Sequence, residues 1–255
     1  MMHRILILGG TTEARQLAGQ LAHRAGLKVT MSLAGRTAEP AALPVPVRSG
    51  GFGGAEGLAN YLRAERIGLL VDATHPYAAT ISRNAAEAGK IAGIPLVALR
   101  RPAWEPVEGD RWTLVENGAG AVAALGAKPR RVFLALGRQE IGDFEKAPQH
   151  AYVIRSVDPV EPRLAVPHAT YILARGPFRE EDEGSLLASH HIDAIVAKNS
   201  GGTATYGKIA AARKLGVEVI LLRRPELPQV RQAASVSELV GWIDHWFEPA
   251  EKRGV

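Results

Sequence analysis

The chain of 255 residues is long enough for one large domain or two small ones, and with 46% hydrophobic and 22% charged residues it is neither a peptide module nor a disordered chain. Its formal charge of +5 favours acidic partners, but 23 of the 31 basic residues are Arg scattered along the chain and aromatic residues are only 5%, which speaks against a nucleic-acid platform. Cysteine is absent, excluding disulfides, cysteine nucleophiles and cysteine-held metal, and no membrane-length apolar run or basic-then-apolar leader is present, so a cytoplasmic protein without membrane contact is expected.

From residue 4 onward, short apolar β-rich runs alternate with alanine-rich helical stretches, the pattern of a parallel sheet covered on both faces. The first strand is expected over 4–8, and Gly9-Gly10-Thr11-Thr12-Glu13-Ala14-Arg15 follows it, opening a helix over 12–25. This loop matches the dinucleotide fingerprint G-x-G-x-x-G/A in part, with Thr11 at the second glycine position and Ala14 at the last. Gly9 and Gly10 let a phosphate approach the backbone, and helix-terminal N–H groups with the hydroxyls of Thr11 and Thr12 can hold it; otherwise one threonine only caps the helix.

The second strand is expected over 28–33. Dinucleotide-binding domains place an acid near its end to take the adenosine ribose, whereas this chain has Ser32 and Arg36 and no acid there. A hydroxyl and a guanidinium suit a 2′-phosphate, so the expected cofactor is NADPH rather than NADH. Gly50-Gly51-Phe52-Gly53-Gly54 precedes a helix over 55–65, and Gly53 is a further candidate for lining the dinucleotide.

A third strand over 68–72 ends in Asp72-Ala73-Thr74-His75-Pro76-Tyr77, a cluster of proton donors and acceptors at the ligand-facing edge. Thr74 is assigned to the cofactor, and His75 and Tyr77 to the chemistry; the alternative is that Asp72 and Thr74 cap a helix over 78–92 that stops at Gly93. A strand over 95–99 completes this half, and the Pro-rich stretch 102–109 places the boundary near residue 105. The expected domains are 1–105, binding NADPH, and 106–255, contributing to the substrate cleft.

Strands then follow over 112–115, 132–136, 152–157, 171–174, 192–197 and 217–222. Glu180-Glu181-Asp182-Glu183 reads as a helix first turn complementing the dipole, and His190-His191 lack a further ligand at metal spacing, so no metal site is expected. Trp242, Trp246 and Phe247 fit a C-terminal helix packed on the core. Residues 69–102 and 194–225 repeat one order of strand, loop, helix and strand, and both copies end in Leu-Arg-Arg-Pro. Two related halves place a ligand cleft between the carboxyl edges of two sheets, and raise an exchange of last strands between them. In the second copy, Lys198-Asn199-Ser200-Gly201-Gly202-Thr203 reads as an anion-binding turn carrying one cation, or as a plain Gly-rich turn.

With Gly-Gly-Thr-Thr-Glu-Ala-Arg at 9–15, Gly-Gly-Phe-Gly-Gly at 50–54, Asp-Ala-Thr-His-Pro-Tyr-Ala at 72–78 and Lys-Asn-Ser-Gly-Gly at 198–202, the chain resembles the precorrin-6A reductase family of cobalamin biosynthesis. Arg-Arg-Pro-Ala-Trp at 100–104 and Ala-Arg-Gly-Pro-Phe at 174–178 extend the likeness over essentially the whole length. The resemblance implies an α/β oxidoreductase of two Rossmann-like domains with mostly parallel sheets. It implies hydride transfer from NADPH to the conjugated macrocycle of precorrin-6A, with a proton added at the adjacent ring position, giving precorrin-6B. The carboxylates of that tetrapyrrole call for cations, and Arg100, Arg101, Arg175, Arg223 and Lys198 are candidates, with Ser200, Gly201, Gly202 and Thr203 beside them. The proton donor is left open among His75, Tyr77, Lys198 and a bound water. Product handover to other pathway enzymes is a further implied partnership. The competing readings are a cobalt-containing ring as substrate, a short-chain-dehydrogenase-like reductase of a small carbonyl compound, and a non-catalytic dinucleotide sensor. Short-chain dehydrogenases pair Tyr with a Lys four residues on, and no Tyr here is so followed.

Overall fold

The computed structural model describes residues 2–35, 42–138 and 140–247. They fall into two compact units, Met1–Pro102 with Pro225–Val255, and Ala103–Arg224. The first unit carries β1 (His3–Leu8), α1 (Thr12–Leu21), β2 (Leu27–Leu33), β3 (Val47–Ser49), α2 (Gly54–Ala64), β4 (Leu69–Asp72), α3 (Ala79–Ala92) and β5 (Leu96–Leu99). The second carries β6 (Trp112–Val115), α4 (Gly118–Leu125), β7 (Arg131–Ala135), a 3₁₀ turn (Gly142–Lys146), β8 (Ala151–Ser156), β9 (Ala169–Leu173), α5 (Glu180–Ser189), β10 (Ala194–Lys198), α6 (Gly207–Leu215) and β11 (Glu218–Leu222). The chain then returns to the first unit with β12 (Arg231–Ala233) and α7 (Val236–Phe247).

Each unit holds a parallel six-stranded sheet, ordered β3-β2-β1-β4-β5-β12 in the first and β9-β8-β7-β10-β11-β6 in the second. These are two doubly wound, Rossmann-like sheets with one layout, and in each the order reverses at a switch point, between β1 and β4 or between β7 and β10. The sixth place is filled reciprocally: β12, which follows the second unit, pairs with β5, and β6, which follows β5 in the chain, pairs with β11. The two exits are built alike, for the amide of Arg100 donates to Ala233 O at 2.9 Å and that of Arg223 to Val115 O at 2.8 Å. Both crossings therefore fall on the repeated Leu-Arg-Arg-Pro.

The expected single boundary near 105 is replaced by two crossings, and the segment expected to end the second domain belongs to the first. The reason is local: Arg231-Gln232-Ala233 is too short and polar to read as a strand, and its place is set by the open edge of β5. Trp242, Trp246 and Phe247 do pack on a core, that of the first unit, beside Leu17, Leu21, Leu239 and Ile243. β1 shows why its sheet is covered on both faces. Ile5 and Ile7 point to the α1 and α7 side, and Leu6 and Leu8 to Leu58, Leu62, Ala85 and Ala88 of α2 and α3. In the second unit Phe133, Ile195 and Leu221 meet Leu187 of α5 and Ile209 and Ala212 of α6.

Candidate active site

At the first switch point the loop after β1 is shaped by close packing. A Cβ on Gly9 would lie 2.1 Å from Met31 Sδ of β2, and Gly10 has φ +119°, a conformation side chains disfavour. Thr11, 8% exposed, caps α1: its Oγ1 accepts from the Ala14 amide at 3.1 Å and donates to Ala73 O at 2.9 Å. With both roles filled, this hydroxyl serves the capping alternative, and the helix-terminal amides are the groups left to meet a phosphate. Thr12 Oγ1 accepts from Arg15, and Glu13 forms an ion pair with Arg101. Arg101, expected at the substrate, is thus held against α1 within the first unit.

Across the switch point, Asp72 is buried at the end of β4. Its Oδ1 accepts from the Thr74 amide at 3.2 Å and Thr74 Oγ1 at 2.6 Å, and its Oδ2 from Ser82 Oγ at 2.6 Å. Neither Asp72 nor Thr74 caps α3, whose N-cap is Ala78; Asp72 instead pins the loop to a hydroxyl inside the helix. His75 Nδ1 accepts from the Tyr77 amide at 3.3 Å, which leaves the proton of the neutral ring on Nε2. The two rings lie 5.6 Å apart. Arg100 donates to Pro228 O at 2.9 Å, fastening the returning chain, and burial lowers its pKa against the opposing pull of Asp72.

A cavity of about 180 Å³ in the first unit brings together Gly9, Ser32, Gly53 and Thr74, four of the expected cofactor residues. Cβ atoms built on Gly10, Gly50, Gly51 and Gly53 would meet nothing within 4 Å, so these backbones border open space. Arg36 lies outside the described residues. Arg48, which lies outside every motif in the sequence, stands in register with Ser32 on the neighbouring strand. Its Nη1 donates to Ser32 Oγ at 3.0 Å and Gly50 O at 2.9 Å, its Nη2 to Gly51 O at 3.0 Å, and the guanidinium lies 3.8 Å from the centre of the Phe52 ring. The available signal was a cation two residues before the glycine cluster.

At the second switch point Lys198 ends β10 and pairs with Glu140, Nζ to Oε1 2.5 Å. Asn199 accepts from the Trp104 amide at 2.8 Å and donates back to Trp104 O at 2.9 Å, while the Trp104 indole donates to Gly202 O at 2.7 Å. Arg224 Nε adds a bond to Asn199 O at 2.9 Å. Gly201 and Gly202, at φ +68° and +69°, supply the turn itself. The amide of Ser200 is taken by Lys198 O at 2.8 Å, Thr203 is exposed, and α6 begins at Gly207 rather than directly after the glycines. Arg175 is exposed between β9 and α5, and Arg223 pairs with Glu116 beside β6.

Beneath this loop lies a buried charge cluster with no sequence signal. Arg155 and Glu183 form a bidentate ion pair, with the Arg155 guanidinium 3.6 Å from the centre of the Phe178 ring. Lys208, 4% exposed, donates to Thr205 O at 2.6 Å and lies 5.0 Å from the Trp104 ring centre. Burial, and then the Arg155 charge, push its pKa from 10.5 down to about 7.

The fold thus defines a two-unit Rossmann-like α/β protein with a glycine-lined cavity at its first switch point. The chain matches the family model described as precorrin-6x reductase CbiJ/CobK over residues 4–244. It is 60% identical over 247 residues to a precorrin-6A reductase from Sinorhizobium, covering 97% of this chain and 95% of the relative. It is 48% identical to that of Rhodobacter capsulatus, with 100% of both chains covered. A solved CobK precorrin-6A reductase superposes with a TM-score of 0.93 at 46% identity, over 100% of both chains. The chain belongs to the precorrin-6x reductase family, an oxidoreductase family of cobalamin biosynthesis that works with a nicotinamide cofactor.

Proposed function

We propose that the protein reduces precorrin-6A to precorrin-6B with NADPH. The observation that carries this reading is its full-length likeness to proteins named precorrin-6A reductase, and the site chemistry supports it. NADPH, when bound, supplies the hydride, and the protein orients the cofactor and handles the proton. The amides at the start of α1, bordered by Gly9, Gly10 and Thr12, take the pyrophosphate; Ser32 and Arg36 take the 2′-phosphate; Gly53 and Thr74 border the same cavity. Thr74 owes its position to Asp72.

The macrocycle takes up a hydride on one carbon and a proton on its neighbour, so a proton donor is required. His75 in its imidazolium form is the donor in this reading, returning on proton transfer to the neutral ring whose Nδ1 accepts from the Tyr77 amide, with Tyr77 beside it. Ring carboxylates meet Arg175, Lys198 and the turn of Ser200, Gly201, Gly202 and Thr203, where Lys198 exchanges Glu140 for a substrate carboxylate. Among the described residues no helix is long and apolar enough to cross a membrane. We place the enzyme in the cytoplasm, passing its product to the next enzyme of the pathway.

Mixing the protein with NADPH and precorrin-6A while following the nicotinamide and ring absorbances tests the reading. Loss of both spectra together is expected. Unchanged nicotinamide absorbance overturns it, and a cobalt-containing ring in a parallel arm decides the metal state of the substrate.

A further inference from the structure

We propose that Arg48 is a specificity-determining residue for the cofactor, a preset cation for the 2′-phosphate that separates NADPH from NADH. The inference rests on the reading that the first-unit cavity takes the dinucleotide. Its starting point is register: Arg48 on β3 pairs with Ser32 on β2, and the carboxyl end of β2 is where such folds meet the adenosine ribose. Among the described residues, Arg48 donates only to neutral oxygens, the Ser32 hydroxyl and the carbonyls of Gly50 and Gly51. Arg4 and Arg101 of the same unit do meet carboxylates, those of Glu65 and Glu13. Among the described residues, the positive charge of Arg48 is therefore held in place without a counter-charge, beside a cavity bordered by Ser32, Gly50, Gly51 and Phe52.

The setting is also rigid. The guanidinium lies 3.8 Å from the Phe52 ring centre, and Phe52 is buttressed edge-on by Tyr61 at 5.1 Å. Because Ser32 Oγ accepts from Arg48, its own hydrogen is directed to another acceptor, and a phosphate oxygen in the cavity satisfies it. A dianionic 2′-phosphate would then receive a charge-assisted bond from Arg48 and a hydroxyl bond from Ser32 without reorganisation of either. The 2′-hydroxyl of NADH offers no charge for Arg48 to meet, so its affinity depends on the rest of the site.

Titrations of NADPH, NADH and 2′,5′-ADP into the wild-type protein, Arg48→Gln and Arg48→Lys test this, with thermal unfolding reporting integrity. Arg48→Gln is expected to weaken NADPH and 2′,5′-ADP by about tenfold or more while NADH changes by about twofold or less. Arg48→Lys, which keeps the charge and the fold, is expected to retain part of the preference for NADPH. Equal weakening of NADPH and NADH in both variants would assign Arg48 to shaping the glycine loop alone and overturn the proposal. A wild-type protein that binds none of the three nucleotides overturns the dinucleotide reading itself.

Discussion

Thr11 and Ala73 are joined by a hydrogen bond of 2.9 Å, so one hydroxyl couples the glycine loop after β1 to the acidic loop after β4 while capping α1. Thr11→Val keeps the shape and removes both bonds, orphaning the Ala73 carbonyl and uncapping the helix. A loss of about 1–3 kcal/mol in urea unfolding is expected, with weaker NADPH binding. Thr11→Ser is expected to preserve both. Unchanged nucleotide affinity in Thr11→Val would show that the two loops are positioned independently.

The buried pair of Arg155 and Glu183 predicts an order of severity. Below pH 7, where Lys208 carries its proton, Glu183→Gln leaves Arg155 and Lys208 as neighbouring buried cations that have lost the Glu183 charge, whereas Arg155→Met leaves Glu183 facing Lys208. Glu183→Gln is therefore expected to be the more damaging, by about 3–5 kcal/mol relative to wild type. Urea unfolding of both variants at one pH in that range checks the order, and the reverse order would mean that Lys208 does not sense this pair.

These cases show which features sequence patterns carry. Strands such as Arg4–Leu8 and Leu69–Asp72 are legible because burial on both faces makes them continuous apolar runs flanked by turn residues. β3 and β12 are three-residue edge strands whose pairing depends on what edge is exposed, and local composition does not record that. The Leu-Arg-Arg-Pro repeat did mark both crossings, but only the sheet pairings show what crosses there. At the site, Gly9 and Gly10 stand out by their place after a strand. The tie from Thr11 to Ala73 spans 62 residues and that from Lys198 to Glu140 spans 58, so neither is visible in spacing. Arg48 is one arginine among 23 until register sets it beside Ser32.

Lys198 and Glu140 give opposed predictions for substrate binding. Glu140 neutralises the lysine in the structure and so competes with any incoming carboxylate. Glu140→Gln is expected to lower the substrate KM by about threefold to tenfold, and Lys198→Ala to raise it by at least as much, with smaller changes in kcat. Steady-state kinetics with varied precorrin-6A separates the cases. A collapse of kcat at unchanged KM in Lys198→Ala would move the lysine from binding to proton transfer.

Lys208 makes stability depend on pH in a defined direction. Its pKa falls from 10.5 to about 7 on folding, mainly through burial, so between those values the unfolded chain binds a proton that the folded chain does not. Stability therefore rises with pH across this window by up to about 1.4 kcal/mol per pH unit from this group, and below pH 7 the cost of a buried ammonium is fully present. Lys208→Met removes the titrating group and keeps the apolar stem beside Trp104. Relative to this variant, the wild-type protein is expected to gain stability steadily between pH 7 and pH 9.5, as measured by urea midpoints in matched buffers. A constant difference between the two proteins over that range would show that Lys208 keeps an ordinary pKa in the fold, its ammonium sustained by Glu183 and the Thr205 carbonyl.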